Sequence, residues 1–172
     1  MKRITKLAVV AAALVCLTSV ATAPVMAAES SAEMFSCMHE GTKVSKTYVR
    51  HADPAKLAEA VAIFEGNVEG KPYPVGTVLQ MVPNEAMVKH EVSAYPNSGG
   101  WEFLIFDVSA EETKITGRGD SAANPLGTCL SCHTGAAKFD YVCSKGHGCP
   151  PVPVTDEQII AMQGQDPRCS AN

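Results

Sequence analysis

The sequence predicts an α+β fold, an antiparallel β-sheet with a few flanking helices, and three observations carry that prediction. Residues 101–108 (WEFLIFDV) form the strongest strand pattern in the chain, rich in aromatic and branched side chains. Just before it, residues 76–82 and 85–92 are β-rich and separated by Pro83-Asn84, a turn pair. Adjacent strands joined this way pair most simply in antiparallel order. Helical spacing is confined to two stretches, near 54–66 and 156–164.

Residues 1–28 read as a secretory signal peptide. Lys2, Arg3 and Lys6 form a positive start, residues 7–20 an apolar run, and the small residues around Ala27 and Ala28 suit cleavage. The apolar run is short for a membrane span, so no membrane anchor is expected. Residues 29–172 are read as a single domain, exported and periplasmic. Without the three basic leader residues, 11 Lys and Arg remain against 18 Asp and Glu, a net −7 with His neutral. Such an acidic chain excludes nucleic acid as a partner.

Asp53 followed by Pro54 opens the first helix as N-cap and first-turn residue. Leu57, Ala60, Val61 and Phe64 follow at helical spacing, and Gly66 closes it. The strands come next, and 95–100 is a loop of turn residues. Arg118-Gly119-Asp120 reads as a turn. Residues 150–153 are extended, and Thr155 with Gln158 caps a last helix that ends at Gly164.

Cys129-Leu130-Ser131-Cys132-His133 is the run that carries chemistry. C-x-x-C-H is the attachment pattern of a c-type haem. Two thiols one short turn apart each form a thioether to a haem vinyl group, and the adjacent His becomes the proximal iron ligand. Cys129, Cys132 and His133 are therefore the expected cofactor-binding residues, with His133 on the metal and one covalent haem c per chain. A short helix should begin at this run. Cys37, Cys143, Cys149 and Cys169 remain, an even number suited to two disulfides in an oxidising compartment. Their pairing stays open. Cys143, His147 and Cys149 are an alternative metal set, but the glycines around His147 favour a turn.

Further residues resemble those of the cytochrome P-460 family, whose relatives include the β-type cytochromes c′. Residues 73–78 (YPVGTV) resemble the Pro-x-Gly-Thr-Val opening of a family strand, and Gly100 to Phe103 with Phe106-Asp107 resembles its Trp-x-Phe strand. The haem run with Lys138 and Asp140-Tyr141-Val142 resembles its haem-binding end. The likeness runs from about residue 48 to 145, and the cysteine-rich tail looks like a subgroup feature. The resemblance implies a monohaem periplasmic protein, a homodimer, and either hydroxylamine oxidation with a Lys cross-linked to the porphyrin or binding of nitric oxide.

In the family's register the cross-linking Lys falls at Met81, so the usual Lys is missing. Met81 is expected to line the haem pocket, as an axial ligand or, with Phe103 as the alternative, as the cap over an open iron. Met87 and Met162 are weaker alternatives for the ligand. Lys89 on the neighbouring strand is a substitute cross-linker in principle, but reads as a solvated surface residue. Glu85, Glu91 and Asp107 are candidate proton acceptors, and no His besides His133 has motif support. Electron transfer to a redox partner protein and small nitrogen-oxide binding are the expected roles, with hydroxylamine or nitrogen-oxide oxidation as the alternative.

Overall fold

The computed structural model describes residues 29–145 and 147–169; the expected signal peptide lies outside them. The chain is α+β. Six strands form one antiparallel sheet in sequence order: β1 (Thr42–Val44), β2 (Thr47–Arg50), β3 (Val78–Gln80), β4 (Glu85–Lys89), β5 (Trp101–Val108) and β6 (Thr113–Arg118). Helix α1 (Pro54–Gly66) is inserted between β2 and β3. A two-stranded hairpin, β7 (Ala123–Asn124) and β8 (Gly127–Thr128), leads into the one-turn helix α2 (Cys129–His133), and α3 (Asp156–Gly164) lies in the tail. Among the described residues, no helix is long and apolar enough to cross a membrane.

Local chemistry accounts for the helix ends. The Asp53 carboxylate accepts from the Ala55 and Lys56 amides, satisfying donors that the first turn leaves unpaired. Thr155 and Gln158 complete a reciprocal capping box. At the far end of α1 the left-handed capping residue is Asn67, one position beyond the expected Gly66.

Strand β5 has the predicted bounds, pairs with β4 on one side and with the edge strand β6 on the other, and is covered on both faces. Trp101 and Phe103 point to one face, where Val49, Leu79 and Met87 meet Ala60, Ile63 and Phe64 of α1. Leu104 and Phe106 point to the other, with Val78, Ala86, Val88 and Phe35. Strands β3 and β4 are shorter than the 76–82 and 85–92 expected. The ladder is interrupted beyond them by irregular bonds, Lys89 N to Thr77 O at 2.9 Å and His90 N to Gly100 O at 2.8 Å. At Gly100 (φ 95°) a Cβ would stand 2.5 Å from the His90 carbonyl oxygen, so only glycine lets these segments approach.

Strands β1, β2 and β6 have no strong pattern in the sequence. They are short, mixed in composition, and strands chiefly because a neighbour offers them a ladder. Arg118 is the last residue of β6, so the Arg-Gly-Asp tripeptide is part strand and part 3-10 turn.

The four tail and edge cysteines form two disulfides, Cys37–Cys169 and Cys143–Cys149. The first joins segments 132 residues apart. The second closes a small loop that contains His147, which stacks on Phe139. The cysteine pairing displaces the alternative metal set.

Candidate haem site

Helix α2 begins where the β7–β8 hairpin ends. Thr128 caps it by accepting from Ser131 N, and Cys129 N donates to Ala122 O at 2.9 Å. Cys129 and Cys132 stand three residues apart in this single turn and share one side of it. Both are half-buried and unpaired, whereas the other four described cysteines are in disulfides. Burial first, and the charge of Glu85 second, push the Cys129 thiol up to about 11. A dithiol built for exchange chemistry needs the opposite, a depressed pKa that exposes thiolate.

The imidazole of His133 turns inward. Its Nδ1 lies 2.7 Å from the Tyr141 carbonyl oxygen, which can only accept, so Nδ1 carries the proton and donates. That assignment leaves the lone pair on Nε2. Burial lowers the pKa of His133, against the pull of the Tyr141 carbonyl and of Glu85. Neutral imidazole is the form that binds metal. The Phe103 ring packs 5.0 Å from it, and the Cys143 sulfur lies 3.6 Å from Nδ1.

Two thiols, a neutral imidazole with a free Nε2 and an apolar wall suit a haem. Leu130 and Ile105 pack against the cluster that contains Met87 and Phe103 and complete that wall. Cys129, Cys132 and His133 thus stand together as expected. Met81 is half-buried in the turn after β3, where its backbone oxygen accepts from Gln163 Nε2 at 2.9 Å. Met87 occupies the sheet position between Leu79 and Phe103. Met162 is half-buried on α3.

Of the three candidate carboxylates, Glu91 and Asp107 are exposed. Glu85 accepts from Asn124 Nδ2 at 2.8 Å, within electrostatic reach of Cys129 and His133. The remaining histidines have other partners: His39 with Gln163 O, His51 with Val75 O, His90 with Glu102, and His147 with Asn67.

The reading of Lys89 as a solvated residue is corrected. Its side chain is 3% exposed and its Nζ is bound by Asp140. Within the expected strand 85–92 Lys89 looks solvent-facing, because the partner that makes its burial tolerable is 51 residues away.

Comparison with curated proteins and with solved structures gave no match. Comparison with protein families matched Cytochrome P460 over residues 25–144. That span takes in the whole six-stranded sheet, the C-x-x-C-H turn and the Tyr141 carbonyl, and starts well before the residue-48 limit of the motif likeness. It ends before Cys149 and α3. The chain, with a haem-ready cysteine and histidine turn set against an antiparallel sheet, belongs to the cytochrome P460 family of haem cytochromes.

Proposed function

We propose that this protein is an exported, periplasmic monohaem c-type cytochrome that transfers electrons or binds nitric oxide at the haem iron. Residues 1–28 serve as the signal peptide and 29–172 as the haem domain. Cys129 and Cys132 hold the haem as thioethers and His133 ligates its iron through Nε2. The observation that carries this reading is the His133 Nδ1–H bond to the Tyr141 carbonyl, on a helical turn whose two thiols are spare. Bound there, the group would supply one-electron chemistry and the capacity to bind a small ligand.

The chain's own contribution is to hold and shield. Tyr141 fixes the tautomer and direction of the imidazole. Phe103, Met87 and Ile105 keep water from one side of the site. Met81 is the proposed distal residue, as ligand or cap. A redox partner protein and self-association as a homodimer complete the proposal.

Hydroxylamine or nitrogen-oxide oxidation is the second reading, and one observation favours it: Glu85 accepts from Asn124 of the hairpin that leads into the haem-binding turn, on the side where a proton acceptor would be needed.

The ultraviolet–visible spectrum of the purified holoprotein, ferric and dithionite-reduced, tests both readings. Haem that survives denaturing extraction in the parent and is lost in C129S/C132S supports thioether attachment. A protein matured with the c-type machinery that carries no covalent haem overturns it. Sharp low-spin bands favour the carrier, broad high-spin bands the open site, and turnover of hydroxylamine with an artificial acceptor the enzyme.

A further inference from the structure

Asp140 and Tyr141 both adopt left-handed backbone conformations, with φ of 52° and 62°. Two such residues in succession, neither of them glycine, are unfavourable alone and persist where the surroundings hold them. Here the hold is a buried ion pair. Lys89 Nζ donates to Asp140 Oδ1 at 2.6 Å, to Oδ2 at 2.7 Å and to the Gly99 carbonyl at 2.7 Å, so its three protons all have acceptors. The ammonium also lies 5.1 Å from the Trp101 ring centre. Asp140 Oδ2 accepts from Tyr73 N at 2.8 Å, and the Asp140 backbone oxygen accepts from Trp101 Nε1 at 2.6 Å.

The next carbonyl along the chain is the one on His133. Tyr141 N donates to Ala136 O at 2.9 Å, and Tyr141 O receives the His133 Nδ1–H. The turn is therefore held on β4 and β5 by residue 140 and presents its acceptor at residue 141. Two residues further on, Cys143 is tied to Cys149.

We propose that Lys89 and Asp140 are positioning residues for the haem's proximal ligand. The ion pair clamps the 140–141 turn so that the Tyr141 carbonyl meets Nδ1–H, and this sets the imidazole's direction and its donor strength toward iron. Lys89 acts through Asp140, with its ammonium already committed, rather than by bonding the porphyrin. The inference rests on His133 being the proximal ligand.

Removing Lys89 alone strands a buried carboxylate, so the informative variant is K89M/D140N. It removes both charges together, a change that buried pairs often tolerate. K89R keeps the charge and serves as the rescue. V49A, at a fully buried position on the same face, supplies a loss of stability that leaves the turn alone. Two properties of the haem-loaded proteins are read: solvent exchange of the His133 Nδ1–H proton by NMR, and the reduction potential.

Exchange should quicken at least about tenfold in K89M/D140N, the loss of one restraining contact worth roughly a tenfold factor. The potential should rise, because a weaker bond at Nδ1 makes the imidazole a poorer donor to ferric iron. K89R should stay near the parent, and V49A should melt lower with neither property moved. Parent-like exchange and potential in K89M/D140N overturn the positioning role, as does failure of K89M/D140N to retain haem while V49A of equal melting temperature also loses it. A parent protein without a haem-ligated His133 instead sinks the cofactor reading itself, so the two failures are distinguishable.

Discussion

The ring of Phe103, the third residue of β5, lies 5.0 Å from the ring of His133 and is tilted 54° to it. Strand β5 is thus the wall against which the His133 imidazole, the proposed iron ligand, rests. The sheet's other face is filled by Phe106 at a similar depth, packed 4.5 Å from Phe35.

Phe103 and Phe106 are 1% and 3% exposed, so replacing either by Ala should cost about 3–5 kcal/mol in stability. Chemical denaturation should give comparable losses for the two. Their haem spectra should differ, since only Phe103 touches His133. Equal spectral change in both variants would refute the assignment of the site to one face.

The two disulfides should contribute unequally. Loop-closure entropy assigns roughly 5 kcal/mol to a bridge across 132 residues and roughly 2 kcal/mol to one across 6. C37S/C169S should therefore lower the denaturation midpoint more than C143S/C149S. The second variant should alter the haem spectrum more, because Cys143 sits beside His133.

Glu102 is fully buried yet ionised. Burial pushes its pKa up, but hydrogen bonds from His90, Ser30 and Tyr95 outweigh this and hold it near 2 against an ordinary 4.5. Arg118 adds an ion pair. A carboxylate depressed in the folded state stabilises above its unfolded pKa and loses that contribution as pH falls. The window here is about pH 4.5 down to 2, and the full effect is about 3 kcal/mol. Urea midpoints followed across that range should fall more steeply in the parent than in E102Q.

Met81 and Met87 divide the distal question. M81A should convert a sharp low-spin spectrum to a high-spin one if the Met81 sulfur ligates iron, and M87A should do so if Met87 does. Spectra unchanged in both variants would rule out the Met81 and Met87 sulfurs as iron ligands.

Features written in contiguous residues were legible without the fold. The C-x-x-C-H turn, the Asp53 cap of α1, the Thr155–Gln158 box and the bounds of β5 each depend on side chains a few positions apart, where covalent geometry alone brings the partners together. Strands β1, β2 and β6 were not legible, since their residues take a ladder from neighbours rather than from their own pattern. Which cysteines pair, why Lys89 is buried, and what orients His133 were decided by the tertiary structure. Sheet register sets Lys89 of β4 opposite Trp101 of β5, and the turn after the haem run then brings Asp140 to the ammonium and the Tyr141 carbonyl to the imidazole. The residues that would matter, six cysteines beyond residue 28 and one histidine motif, could be read from the sequence; only the folded chain, which brings Asp140 to Lys89 across 51 positions and Cys169 to Cys37 across 132, determined their partners.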